Sequence, residues 1–207
     1  MRWVKFALLL FLFIAAFVIE KLFREQYTFL LAMFFAVSGD FFFTIKLTFS
    51  PPENLPLILG TANFLAAYLC LIAAFQKNPR YDRWELFALC PYLITCPSIF
   101  LKFGGIITGA AFWGSLAFVF VLCYMAWRSA CTIKEGYYSL KSSLLMALSG
   151  HLMLISDLAV GIAVFAYGAK GFSPVLENII WGTFLPAWAI IMCLICEKHL
   201  LRRQCRR

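Results

Sequence analysis

Residues 27–45 read Tyr-Thr-Phe-Leu-Leu-Ala-Met-Phe-Phe-Ala-Val-Ser-Gly-Asp-Phe-Phe-Phe-Thr-Ile, with Asp40 the single charged side chain. An α-helix needs a run of about 20 apolar residues to cross the hydrocarbon of a bilayer. The stretch lacks the strict alternation of a barrel strand, and a segment in lipid must satisfy its own backbone, so it reads as a helix. Comparable runs recur along the chain, placing spans at 3–19, 27–45, 55–75, 86–101, 106–127, 144–165 and 179–196. The fourth is short and holds Pro91 and Pro97. The expected fold is all-α: a polytopic membrane bundle of about seven transmembrane helices, forming one domain over 1–207.

Composition agrees. With 63% hydrophobic and 14% charged residues and a mean hydropathy of +0.87, a soluble domain is excluded. The net charge of +8 does not indicate nucleic acid, because the basic residues sit at span ends and in loops, without interleaved base-stacking aromatics. The first span follows Arg2 and Lys5 like a signal sequence. No small-x-small site precedes Glu20, Lys21 and Leu22, so it is expected to be retained.

Charge bias gives an orientation. Arg2, Lys5, Lys46, Lys102 and Lys170 fall on one side. Lys21, Arg24, Lys77, Arg80, Arg83, Arg128, Lys134, Lys141, Lys198, Arg202, Arg203, Arg206 and Arg207 fall on the other, taking 13 of the 18 basic residues. The positive-inside rule then sets the N-terminus outside and the C-terminus in the cytoplasm, which an odd number of spans requires. The basic tail at 197–207 is expected to lie on the anionic inner leaflet.

Cys70, Cys90, Cys96, Cys123, Cys193 and Cys196 fall inside apolar runs and read as small packing residues. Cys193 and Cys196 form a lone Cys-x-x-Cys, without the second pair a metal site would need.

Eight of the ten acidic residues lie in loops or at span ends; Asp40 and Asp157 lie within spans. An aspartate at a helix centre costs about 2.5–3.5 kcal/mol on insertion scales, so each needs a compensation or a purpose. The plain reading is hydrogen-bonded glue between helices. The sharper one is a shared polar cavity, since both lie past the midpoint of helices that run the same way.

Gly150, Asp157 and Gly161 share one helical face, where small residues permit close approach and Asp157 points inward. Gly60, Asn63, Ala67 and Cys70 make a similar face, turning the Asn63 amide inward to meet a carboxylate or a substrate. Tyr68 lies off that face, but its hydroxyl has the reach to join the site. His151 sits about 120° around the helix from Asp157 and reads as a packed histidine. Ser38 and Ser156 belong to a type that more often bonds its own helix than acts as a nucleophile. No Gly-x-Ser-x-Gly, His-Glu-x-x-His or phosphate-binding loop is present.

Two carboxyl groups in a lipid-embedded cavity can hold one proton between them, one donating while its ionised partner activates water. Hydrolysis of an acid-labile bond in a lipid fits this chemistry. Proton-coupled transport fits it too.

Three stretches carry a family resemblance: 34–43 with its Gly-Asp, 60–75 with its early Gly and apolar run to Phe75, and 147–165 with Ser156-Asp157. With Met125-Ala126 and Trp3-Val4-Lys5 as weaker echoes, the chain resembles the YhhN-like lysoplasmalogenases, bacterial relatives of an animal transmembrane enzyme family. Tyr68 stands where that family usually has His, and Phe6 where Pro would follow Lys5. The family's usual eight spans would lose the first here.

The resemblance implies hydrolysis of the vinyl-ether bond of a lysophospholipid, lysoplasmalogen, to a fatty aldehyde and a glycerophospho-headgroup. It implies location in the bacterial inner (plasma) membrane. Asp40 and Asp157 would be catalytic, Asn63, Tyr68 and Ser156 would orient the pair or the substrate, and Lys5 would meet the phosphate. No cofactor and no metal are expected.

The rival readings are a transporter relaying protons through the same pair, an intramembrane aspartyl protease, and a scaffold with structural aspartates. The protease reading is weakened by Val37 in place of the first glycine of Gly-x-Gly-Asp and by the absence of Tyr-Asp. The transporter reading lacks an evident inverted repeat.

Overall fold

The computed structural model describes residues 2–49, 55–77, 79, 82–103, 110–167 and 173–202. They form seven helices: α1 (Arg2–Val18), α2 (Arg24–Phe49), α3 (Leu55–Phe75), α4 (Arg83–Phe103), α5 (Ala110–Glu135), α6 (Leu140–Tyr167) and α7 (Pro174–Cys196). Several outrun their expected limits, α5 reaching Glu135 and α6 starting at Leu140. Hydropathy marks the length inside hydrocarbon, whereas the helical hydrogen-bond ladder continues past it wherever turn residues are absent. Gly136, with φ at 70°, supplies the left-handed position that ends α5.

Five helices, α2, α3, α5, α6 and α7, are long and apolar enough to cross a membrane, and the chain is an integral membrane protein. The shorter α1 and the proline-bearing α4 complete the seven expected helices.

The same five long helices close on themselves. α2 packs on α3, α3 on α5, α5 on α6, α6 on α7, and α7 back on α2. α1 lies outside this ring against α2 and α7, and α4 lies outside it against α5. The tightest seam joins α2 and α3, where Gly39 and Gly60 face each other. A Cβ on Gly39 would stand 3.1 Å from the Gly60 carbonyl oxygen, and one on Gly60 would stand 3.2 Å from that of Gly39. Small residues let membrane helices approach in this way, where no hydrophobic drive separates core from lipid.

One end of the ring gathers the more basic set of loops. Tyr137 Oη donates to Glu25 Oε1 at 2.8 Å, and Tyr138 Oη to the Ala74 carbonyl at 2.5 Å. The Gln26 amide nitrogen donates to the Glu197 carbonyl at 3.1 Å, while its oxygen accepts from the amides of Leu22 and Phe23. The segment after α7 folds back on the α5–α6 turn: Ser139 N–H donates to Leu200 O at 2.9 Å and Arg202 N–H to Tyr137 O at 3.0 Å. Burial pushes the Tyr138 hydroxyl well above its ordinary range.

Arg128 corrects the sequence reading. It was counted among the loop charges, yet it is fully buried on α5. Its guanidinium donates to Glu85 Oε2 at 3.1 Å and to Glu135 Oε1, and the Trp127 indole donates to the Glu85 carbonyl at 2.8 Å. These contacts tie the start of α4 to α5.

Candidate functional site

Asp40 and Asp157 stand about 24 and 25 Å along α2 and α6 from the helix starts at this basic end. They therefore sit at similar depth in two helices that run the same way around the ring. Asp40 is 7% exposed, and its Oδ2 is buried without a hydrogen-bond partner among the described residues. Beside it, Gly39 lies against the Phe64 ring of α3.

Asp157 is partly buried, and its Oδ2 accepts a hydrogen bond of 2.5 Å from the Tyr68 hydroxyl. α3 and α6 are not adjacent in the ring; α5 separates them on one side, and α2 and α7 on the other. The bond consequently crosses the interior. Helical side chains lean toward their own N-terminus, and α3 runs opposite to α6, so Tyr68 and Asp157 lean toward each other.

Aromatic rings fill the space around this pair. Phe64 lies 6.4 Å from Tyr68 and 5.9 Å from Phe184 of α7, and Phe118 of α5 stands edge-on to Tyr68 at 5.8 Å. Trp188, one turn beyond Phe184, is fully buried, and its indole nitrogen has no acceptor among the described residues. An unpaired donor and an unpaired acceptor, Trp188 Nε1 and Asp40 Oδ2, thus stand buried among the ring's helices. Unmade hydrogen bonds of this kind cost about 1–3 kcal/mol each, so they favour a polar guest.

The other expected site residues are placed as follows. The Asn63 amide nitrogen donates to the Leu59 carbonyl of its own helix at 2.8 Å and is not joined to either aspartate by a described bond. Ser156 Oγ reaches across to the Ile180 carbonyl of α7 at 3.3 Å, whereas Ser38 bonds back to Phe34. Lys5 Nζ pairs with Glu177 Oε1 at 3.0 Å and stands 4.9 Å from the Trp181 ring centroid. His151 is packed, with Nδ1 against the Ala147 carbonyl at 2.7 Å and Nε2 against the Tyr92 hydroxyl at 2.6 Å. Of the expected small face on α6, Gly150 abuts Ser129 of α5, while Gly161 has open space where a Cβ would point.

The buried carboxyls, the tyrosine and the ring that encloses them lie within the part of the sequence that matches a known family: the model of the YhhN family covers residues 1–194. The chain belongs to the YhhN family. No curated protein and no solved structure matches it. In this YhhN protein, Trp188, Glu177 and Trp181 escaped the sequence reading. A tryptophan buried in mid-span was the one available signal, because tryptophans of membrane proteins concentrate at the interfaces.

Proposed function

We propose that this YhhN protein hydrolyses the vinyl-ether bond of a lysoplasmalogen-type lysolipid. The observation that carries the reading is the contrast within the site: Asp157 is held by Tyr68 across the ring interior, while Asp40 keeps a bare, buried oxygen at the same depth. Family membership supports it, as do the apolar surroundings suited to a hydrocarbon chain.

The chemistry needs one acid and one base. Asp40, as the carboxylic acid, gives its proton to the outer carbon of the R–CH=CH–O–R′ group, leaving an oxocarbenium ion at the carbon bonded to oxygen. Asp157, oriented by Tyr68, takes a proton from water as the water oxygen bonds to that carbon. The hemiacetal then breaks the bond from its carbon to the R′–O oxygen as that oxygen takes the proton held by Asp157, and its hydroxyl proton passes to the Asp40 carboxylate, restoring both groups. The products are R–CH2–CHO and R′–OH, the sum of substrate and one water. A negative carboxylate facing the oxocarbenium also stabilises the charge that develops there.

The test is incubation of the purified protein with a lysolipid panel, reading aldehyde, fatty acid and headgroup by mass spectrometry. Aldehyde from the vinyl-ether substrate, lost in Asp40→Asn and Asp157→Asn variants that remain folded, is the expected result. Full hydrolysis by both variants, or solute flux into proteoliposomes with no product from any substrate, overturns it.

A further inference from the structure

The first turns of α7 present a carboxylate and an indole four residues apart, Glu177 and Trp181, so both occupy one face. The space they share is filled by the chain's own ammonium. Lys5 of α1 approaches Glu177 Oε1 at 3.0 Å while standing 4.9 Å from the Trp181 ring centroid, with the Lys5 and Glu177 side chains only 19% and 34% exposed. A carboxylate beside an aromatic face is the pattern that recognises organic ammonium ions, through charge and through the ring quadrupole. Here it is occupied by a residue on an outer helix that packs beside the ring.

The position matters as much as the chemistry. Ser156, next to Asp157, bonds the carbonyl of Ile180, next to Trp181. Trp181 packs edge-on to Phe184 at 5.5 Å, and Phe184 leads through Phe64 to Tyr68, which holds Asp157. On the other side Phe6, following Lys5, lies tilted against Phe41 at 5.7 Å, and Phe41 follows Asp40 on α2. The Lys5, Glu177 and Trp181 cluster is therefore linked through packed rings to Tyr68 and Asp157, and lies against the stretch of α2 that carries Asp40.

We propose that Glu177 and Trp181 form a subsite for the ammonium headgroup of the lysolipid, and that Lys5 Nζ is its stand-in when no substrate is bound. This rests on the hydrolytic reading above only for the identity of the lipid. The exchange balances charge. The incoming ammonium takes Glu177, and the displaced Lys5 ammonium meets the phosphate, which in a phosphocholine or phosphoethanolamine lies two carbons from the amine. No bond is made or broken.

Binding tests it independently of catalysis. The full-length protein in nanodiscs is titrated calorimetrically with lysophosphatidylcholine, lysophosphatidylglycerol and hexyltrimethylammonium, the last a cation without a phosphate. Glu177→Gln is expected to weaken lysophosphatidylcholine by about tenfold or more while leaving lysophosphatidylglycerol within about twofold. Lys5→Gln is expected to tighten the phosphate-free cation and to weaken lysophosphatidylcholine, a split in sign that a merely structural ion pair does not produce. Trp181→Leu provides a second arm, read beside its melting temperature. Equal loss of choline and glycerol headgroups in Glu177→Gln, or failure of Lys5→Gln to tighten the cation, overturns the subsite. No aldehyde from the unsubstituted protein, with the binding pattern as expected, would overturn the catalytic reading alone.

Discussion

Two of the places where the described residues bury charged groups are built on opposite principles. At the basic end, Arg128 is enclosed at 0% exposure with two carboxylates on its guanidinium, Glu85 and Glu135. Within the ring, Asp40 has a buried oxygen with no partner, and Asp157 is met by a neutral hydroxyl rather than a cation. The first is a compensated charge cluster that joins helices. The second withholds compensation, which only a ligand, a proton or water can supply. A buried charge met by opposite charges is a fastener, even with Arg128 Nε left over among the described residues, and a buried carboxyl oxygen met by no cation is a candidate for chemistry.

That contrast can be broken by substitutions on each side. Asp40→Asn should lower aldehyde production by about 10²–10⁴-fold, the usual worth of a positioned acid or base, with little change in melting temperature because no partner is lost. Arg128→Met should do the reverse, destabilising the fold by about 3–5 kcal/mol by stranding two buried carboxylates. Thermal unfolding in detergent beside the product assay separates the two, and a large melting shift for Asp40→Asn would erase the distinction.

Gly60→Ala probes the α2–α3 seam beside Asp40. Its Cβ would stand 2.8 Å from Phe43 Cδ2 and 3.2 Å from the Gly39 carbonyl, and the Phe ring can swing while the backbone oxygen cannot. A destabilisation of about 1–3 kcal/mol is expected from such overpacking, read as a lower melting temperature. Tyr68→Phe keeps the ring contacts and removes only the donor to Asp157. It should reduce kcat by about tenfold and lower stability by about 1–3 kcal/mol, since Asp157 Oδ2 loses its donor.

The smallest effect lies at the surface. Lys141 donates to Glu197, and this hydrogen bond, first among its causes, holds the Glu197 carboxyl below its ordinary range. A depressed carboxyl contributes stability that is complete at neutral pH and fades as acid titrates it through the lowered value. With Lys141 largely exposed, the contribution is under about 1 kcal/mol. Lys141→Ala should lower stability at neutral pH by under about 1 kcal/mol and leave the acid end unchanged, which flattens the acid limb of a curve of melting temperature against pH.

Much of this architecture was legible in the residues, for reasons that differ by element. All seven helices were visible because hydrocarbon demands long apolar runs. Asp40 and Asp157 were visible because carboxyls inside such runs are expensive, and Tyr68 because a phenol has reach. The closure of five helices into a ring was not visible. Lipid is as apolar as a protein core, so Leu71 at 0% and Leu69 at 51% exposure look alike in sequence. Arg128 was misplaced because a charge at the end of an apolar run looks the same whether it faces water or a buried carboxylate. Asn63 was expected to meet a carboxylate or a substrate, and its described bond runs instead to the carbonyl one turn back on its own helix, a partner that spacing alone does not reveal.

The seam between α7 and α2 joins the last-made helix of the ring to its first. Until α7 has left the ribosome and entered the bilayer, the enclosure stays ajar, with Tyr68 and Asp157 facing lipid on one flank. The wall added last among the ring's helices is thus the one that closes it, so docking of α7 on α2 is what shuts Tyr68 and Asp157 off from lipid on that flank.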